Sequence, residues 1–334
     1  MKRVTLREVA AATGLSVATV SHILGGSRGD KFRQETRDLV ATAAARLGYR
    51  ASTAARSMRS GRTSSVALLL STVQHRSQMP QELLVQLERG LAHSGHQLLV
   101  STISESDEAD MPQVLAHWAA DAFLVNYNSQ VPDQVLEAID AHRAPTVWLN
   151  CKRATDCVHP DDLSHGRIAT EHLLTRGHRT IAYLDCAHDL ATHPALHHFS
   201  RHDRLAGYRA AMDAAGLTPI IHHGPEFNET ITCMRWMHEV LAASDRAPGF
   251  VCYGGATCVR LATAALVLGL LPGRDIHLAT IDSAPITTPG VPISTVVLDH
   301  AGLARAALAM LTSKLGDAAW QLDAQAICGH LVPG

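Results

Sequence analysis

From residue 66 onward the chain alternates short apolar runs with amphipathic stretches, and this alternation constrains the fold more than any other feature. Strand-type runs fall at 66–70, 97–102, 122–127 and 146–149, with helical periodicity at 80–94, 111–118 and 133–142 between them. A second series sets helices 163–176, 202–215, 228–243 and 256–269 between strands 180–185, 219–223, 249–253 and 276–281. Strict alternation implies parallel sheets covered by helices on both faces, because a parallel connection needs a crossover. Two such series imply an α/β body of two Rossmann-like lobes. Strand 294–298 and helix 300–315 are expected to cross back to the first lobe. Ligands in such sheets sit at the carboxyl ends of the strands. A nucleotide-binding enzyme would want a Gly-rich loop after the first strand, where Leu70-Ser71-Thr72-Val73-Gln74 stands instead.

The 334 residues suit two or three domains, and an apolar share of 46% supports a sizeable core. That core is aliphatic, since aromatics are only 4%. Apolar runs of 18 or more residues are lacking, so no membrane span is expected. Met1-Lys2-Arg3-Val4-Thr5 runs straight into a polar helix pattern, unlike a signal peptide, and a cytoplasmic location is expected. Seven scattered cysteines without a Cys-x-x-Cys pair read as reduced, mostly structural thiols. No cofactor and no metal are expected.

The net charge of −2 hides an asymmetry. Residues 1–62 carry 12 Lys and Arg against 4 Asp and Glu, while the remainder carries 17 against 27. A basic head on an acidic body is the footprint of polyanion binding. The head is also patterned. Thr5-Leu6-Arg7-Glu8 is a capping box opening helix 6–12. Gly14 supplies the positive φ of a tight turn. Ser16 caps helix 17–24, which faces Val20, Ile23 and Leu24 inward and Val17, Ala18, Ser21 and His22 outward. A third helix, 34–47, closes a small all-α core with Leu39, Val40, Ala43 and Leu47 and stops at Gly48. Two short helices about a Gly-containing turn, the second exposing small and polar residues, form a DNA-reading unit.

These strings, continued by Glu35-Thr36-Arg37, Leu47-Gly48-Tyr49 and Ala54-Ala55-Arg56-Ser57-Met58-Arg59-Ser60-Gly61-Arg62-Thr63, resemble the LacI/GalR family of bacterial regulators. The resemblance covers the whole chain and is densest in the first 62 residues. It implies that Val17, Ala18 and His22 read base edges and that Thr5, Ser16, Thr19 and Ser21 contact phosphates. It implies a hinge helix over 52–59, with Arg56, that lies in the minor groove and wedges Met58 between base pairs. It implies a body like the periplasmic binding proteins, paired into a homodimer on a pseudo-palindromic double-stranded operator. The domains are then 1–50 for the helix-turn-helix, 51–63 for the hinge and linker, and 64–334 for the body. Lobe 1 takes about 64–161 and 292–322, and lobe 2 takes 162–291 and 323–334. The segment 50–65, rich in Arg, Ser and Ala, cannot bury enough surface to fold alone, which suits a switch.

Several positions depart from the family pattern. His22 replaces an arginine, which removes bidentate guanine reading at one base pair. Gly25 stands for asparagine, Ala51 for a common proline, and Met58 for leucine; Arg28-Gly29-Asp30-Lys31 lengthens a loop.

For the cleft, the resemblance points to Arg204 and Asp282 as partners of ligand oxygens, and to Asn150 after strand 146–149. A planar five-donor fork suits hydroxyls or a carboxylate. The plainer alternatives are a salt bridge for Arg204, a helix or turn cap for Asp282 and a turn residue for Asn150. Gln78, Met79 and Gln81 begin the first body helix, a further ligand edge or a plain polar start. Tyr253-Gly254-Gly255 stands where an Asn-Asp pair is usual for the two glycines, so polar contacts are lost, room is added, and stacking on Tyr253 or Trp148 becomes available. His188, His193, His197, His198 and His202 crowd the loop before Arg204, as a metal or pH sensor or as a plain polar loop.

The expected function is a sequence-specific repressor controlled by a small-molecule effector, a sugar or sugar derivative. A solute-binding protein or an enzyme on the same two-lobed fold is the rival. The first lacks an export signal and the second lacks a nucleophile–base motif.

Overall fold

The computed structural model describes residues 4–25, 31–49, 63–73, 76–116, 120–128, 131–186, 198–225, 230–316 and 321–334. It divides into two compact units, residues 1–65 with 119–121 and the remainder. The expected hinge helix, with Arg56 and Met58, and the loop histidines His188, His193 and His197 lie outside the described residues.

In the first unit three helices pack together: α1 Leu6–Thr13, α2 Val17–Gly25 and α3 Gln34–Leu47. Their core is Val9, Ala10, Val20, Val40, Ala43 and Ala44, flanked by Ile23, Leu24 and Leu47. Leu39 was expected inside but is 50% exposed. The inward stripe of α3 is Val40, Ala43, Ala44 and Leu47, which leaves position 39 on the flank. The Glu8 carboxylate accepts from the Thr5 amide at 2.7 Å and from its hydroxyl at 2.9 Å, closing the start of α1. Gly14 takes φ 69° at its end.

The second unit holds two six-stranded sheets. The first comprises β1 Ser65–Ser71, β2 Gln97–Ile103, β3 Ala122–Asn126, β4 Thr146–Leu149, β5 Cys157–Pro160 and, late in the chain, β11 Gln325–Ile327. Their order is β11-β5-β4-β3-β1-β2, and β1 pairs with β3 in parallel, Val66 opposite Ala122. Helices α4 Gln81–His93, α5 Glu105–Ala109, α6 Met111–Ala116 and α7 Asp133–His142 connect these strands.

The second sheet comprises β6 Ile181–Cys186, β7 Ile220–Gly224, β8 Gly249–Cys252, β9 His277–Asp282, β10 Ile293–Val297 and β12 His330–Val332, in the order β12-β10-β9-β8-β6-β7. Its helices are α8 Asp162–Thr175, α9 Ser200–Ala214, α10 Thr230–Ala242 and α11 Gly255–Val267. Cys186, Phe250, Cys252, Leu261 and Ile293 lie in the core on one face, and Tyr183, Tyr208, Val251 and Val296 in the core on the other.

The crossover differs from expectation. The strand expected at 294–298 does not return to the first lobe; β10 pairs in parallel with β9, Ile293 opposite Leu278. Only the following helix crosses: α12 His300–Leu315 buries Leu303, Ala307, Met310 and Leu311 in the first lobe's core. Residues 325–327, expected in lobe 2, form β11 beside β5, and only β12 joins the second sheet, antiparallel to β10. An apolar strand run reports that it is buried between layers but not which sheet receives it; Ile293 and Val296 find their contacts in the second lobe. Among the described residues no helix is long and apolar enough to cross a membrane.

Candidate functional site

In the first unit, Ser16 caps α2, its hydroxyl accepting from the Thr19 amide at 3.0 Å and lying 2.9 Å from the Thr19 hydroxyl. This fixes the first turn with Val17 42% exposed and Ala18 exposed beside it. Thr5 is exposed at the start of α1, and Ser21 and His22 are half-buried one turn further along α2. A helix end of small, exposed side chains is slim enough to approach a base-pair edge in a major groove.

In the second unit the carboxyl ends of both sheets bring polar groups together. Asn150 follows β4 with φ 54°, a left-handed conformation that Asn tolerates better than most residues. Its amide donates to the Val158 carbonyl at 2.9 Å, so it is a turn residue with its backbone at the cleft.

Arg204 projects from α9 and is 8% exposed. Its position depends on two glycines. A Cβ on Gly166 would collide with the Arg204 carbonyl oxygen, and one on Gly207 with the Leu163 carbonyl oxygen. Helices α8 and α9 therefore touch backbone to backbone, and Arg204 Nε reaches Asp162 Oδ1 at 2.6 Å. Its Nη1 donates to the Tyr253 carbonyl oxygen at 2.7 Å, and the guanidinium lies 4.8 Å from the Tyr253 ring centre. Burial by itself raises the Asp162 carboxyl, but Arg204 and His165 outweigh it and hold the pKa at about 2. Asp162 Oδ2 is buried without a hydrogen-bond partner. Arg204 is thus held by a buried ion pair, and the fork is partly spent before any ligand arrives.

Beside it, Arg201 donates to both Asp185 oxygens at 2.7 Å and lies 4.5 Å from the same Tyr253 ring. Tyr253 Oη is 2.8 Å from Ser200 Oγ. Ser200 Oγ is 2.8 Å from His198 Nδ1, and His198 Nε2 is 3.1 Å from the Asn150 carbonyl oxygen. This chain of contacts joins the second lobe to the first.

Asp282 closes β9. Its Oδ2 accepts from the Gly255 amide at 3.0 Å and its Oδ1 from the Ser283 amide at 2.6 Å. The carboxylate caps α11, as the plainer alternative held. The expected room at the two glycines is present at one only. A Cβ on Gly254 meets nothing within 4 Å, whereas one on Gly255 would collide with Asp282 Oδ2 and Ile286 Cδ1.

Gln78 and Gln81 are exposed at the start of α4. Met79, expected at the ligand edge, packs against the first lobe's core. Its thioether is apolar, and Leu83 and Leu87 of the helix that follows present an apolar surface to the same core.

Three groups that the sequence reasoning did not single out are polar, buried and unpartnered. Asn126, at the end of β3, is 0% exposed with both amide atoms unpartnered. Asn128 Oδ1 is in the same state two residues on. His300, first residue of α12, is 3% exposed with both ring nitrogens unpartnered. Burial lowers its pKa against the carboxylates of Glu82, Asp299 and Asp282. An unpaired buried amide or imidazole costs about 1–3 kcal/mol, so such groups mark where a polar ligand or water belongs. Asn126 had a readable signal, being the polar residue that ends the apolar run Phe123-Leu124-Val125. Asp162 had none, because its partner Arg204 is distant in the chain, and His300 had none, because its burial depends on how α12 packs. Among the described residues no group of three or more His, Cys, Asp or Glu is arranged to hold a metal. All seven cysteines are unbridged, with Cys328 exposed.

Residues 5–52 match the family described as bacterial regulatory proteins of the lacI family. Residues 67–235 match the periplasmic binding proteins and sugar binding domain of the LacI family, and residues 170–334 match a periplasmic binding protein-like domain. The transcriptional regulator AscG of Escherichia coli K12 is 30% identical over 218 residues, covering 64% of this chain and 62% of that protein. The repressor PurR of Klebsiella pneumoniae strain 342 is 26% identical over 320 residues, covering 93% and 90%. A Lac repressor bound to ONPG in the repressed state superposes with a TM-score of 0.76 at 20% identity, covering 99% of this chain and 98% of that one. The regulator CelR in complex with cellobiose superposes at 0.65 and 21%, covering 99% of each. At these identities the structural likeness speaks for the fold alone. With a helix-turn-helix unit, a two-lobed α/β body and family matches over both, the chain belongs to the LacI family of DNA-binding transcriptional regulators, which are not enzymes.

Proposed function

We propose that this chain is a cytoplasmic repressor that binds a pseudo-palindromic operator as a homodimer and answers to a small polar effector, a sugar or sugar derivative, held between its lobes. Residues 1–50 supply the reading unit, 51–63 the hinge, and 64–334 the sensor. Val17, Ala18 and His22 read bases, Thr5, Ser16, Thr19 and Ser21 position the phosphates, and Arg56 and Met58 enter the minor groove.

The observation that carries the effector reading is Asn126, a fully buried amide with neither polar atom partnered, at the carboxyl end of a parallel strand. A ligand hydroxyl can give and accept hydrogen bonds there at once. To the same ligand we assign Asn128, Asn150, Tyr253 and His300, with the exposed Gln78 and Gln81 on the first lobe. Arg204 and Asp282 act through the frame, since their charges are already engaged. The unpartnered groups of Asn126, Asn128 and His300 are neutral, and the Asp162 carboxylate is already paired with Arg204, which favours an uncharged ligand. The cellobiose bound by the similar CelR is consistent with this choice.

A thermal-shift screen of purified protein with neutral mono- and disaccharides, their phosphates and nitrogen heterocycles tests the reading. A neutral sugar is expected to raise the melting temperature, to lose that effect in Asn126→Leu, and to change operator affinity measured by fluorescence anisotropy. A shift produced only by phosphates or heterocycles sinks the sugar assignment.

A further inference from the structure

One group of contacts between the lobes gathers about a histidine. His198 precedes α9 of the second lobe, and its ring meets the first lobe at the Asn150 carbonyl oxygen, 3.1 Å from Nε2. A carbonyl oxygen only accepts, so Nε2 carries the proton. In the neutral ring Nδ1 is then an acceptor. It faces the Ser200 hydroxyl at 2.8 Å and the Ser200 amide at 3.3 Å, both able to donate. The Ser200 hydroxyl, having given its proton to Nδ1, accepts from Tyr253 Oη at 2.8 Å. Every hydrogen bond from Tyr253 to Asn150 therefore points the same way.

Two neighbouring contacts span the same gap. Lys152 Nζ, beyond β4, lies 2.7 Å from Asp203 Oδ2 on α9. The Phe199 ring meets His159 of β5 edge-on at 5.3 Å and lies tilted against His198 at 4.2 Å.

We infer that His198 is a positioning residue that helps hold the two lobes together and orients Ser200 and Tyr253 in the cleft, and that the neutral imidazole, with Nδ1 free to accept from Ser200, is the form this arrangement fits. The inference rests on the reading of the body as a two-lobed sensor. Protonation places a hydrogen on Nδ1, opposite the Ser200 amide, and reverses the Ser200 and Tyr253 part of the chain, while Nε2 still donates to the Asn150 carbonyl. The imidazolium would also share its surroundings with Arg201 and Arg204, against which Asp162 supplies the opposing charge. Lys152 and Asp203 neutralise each other alongside. Burial, with these arginines, keeps the His198 pKa below the ordinary histidine value, and the Asn150 carbonyl and Asp162 oppose that shift. The closed arrangement thus binds the proton less well than an open one with a solvated ring, so closure weakens as pH falls.

The test uses the full-length protein without added ligand, so it does not depend on which effector binds. Fluorophores are attached through azide-bearing residues at positions 88 and 213, exposed sites on α4 and α9, which leaves the native thiols untouched. Energy transfer is followed from pH 8 to pH 5. Wild type is expected to shift to a longer inter-lobe distance as pH falls. His198→Gln keeps a donor toward Asn150 but cannot titrate, and should stay at the short distance throughout. His198→Ala should sit at the long distance at every pH. A wild-type distance that does not change with pH, a pH profile surviving in His198→Gln, or a His198→Ala variant as closed as wild type at pH 8 each overturns the inference.

Discussion

Asp282 Oδ2 stands 3.0 Å from the Gly255 amide nitrogen and fills the space that a side chain at 255 would need. The carboxylate satisfies one of the unpaired amides at the start of α11, so the glycine and the cap are one device. Gly255→Ala forces a Cβ into Asp282 and Ile286 and is expected to cost about 1–3 kcal/mol in urea unfolding. Gly254→Asn, in open space with φ −152°, should be neutral or slightly stabilising, since Asn is a good N-cap. Equal losses at both positions would contradict this account.

Acid titration should report the Asp162–Arg204 pair. Against the effect of burial, Arg204 and His165 hold the Asp162 carboxyl in the fold at about 2, below the ordinary aspartate value of 3.8. A lowered carboxylate stabilises the fold fully above its unfolded value, and that contribution of about 2 kcal/mol fades as pH falls through 3.8 toward 2. Asp162→Asn should cost about 3 kcal/mol near neutral pH by leaving Arg204 buried and unpaired, and the gap to wild type should narrow by pH 3. A gap that is constant between pH 7 and pH 3 would exclude the linkage.

At the opposite end of the second sheet, the His178 and His277 rings are 4.3 Å apart, and His172 Nε2 is 2.9 Å from Ser294 Oγ. Burial is the first cause that lowers all three below the ordinary value of 6.5; Arg176 follows for His172 and His277, and for His178 the neighbouring His277 comes before Arg176. A histidine kept neutral in the fold loses its contribution as pH drops from 6.5 to the folded value. His277→Gln should flatten the fall in melting temperature between pH 7 and pH 5. An unchanged pH slope in the variant would argue against a role for the pair.

On DNA, His22 cannot make the two-donor contact with guanine that arginine makes. His22→Arg is expected to change base preference at one symmetric pair of operator positions, by about 1–3 kcal/mol against the wrong base. Randomised-operator selection on both proteins measures it, and identical preferences would remove His22 from the reading set.

Most helices were legible because their signals are local. Thr5 with Glu8, Ser16 with Thr19, and Gly14 and Gly48 are start and stop marks within a few residues of one another. Strand Cys157–Pro160 was not expected, since four residues ending in proline carry too little periodicity, and Gln325–Ile327 is shorter still. The candidate site was legible as a set of positions but not as a set of bonds. Arg204 and Asp282 were singled out, yet their partners Asp162 and Gly255 lie 42 and 27 residues away along the chain.

The sequence by itself determined the element types, the basic three-helix head and the two α/β series, because periodicity, capping and charge are properties of neighbouring residues. Only the tertiary structure decided that β10 stays with the second sheet while α12 crosses to the first, and that Asn126 and His300 are left buried and unpartnered. The same holds for His198, whose ring reaches the other lobe at a backbone oxygen. A carbonyl carries no side-chain identity, so no pattern of letters announces that it will be the acceptor.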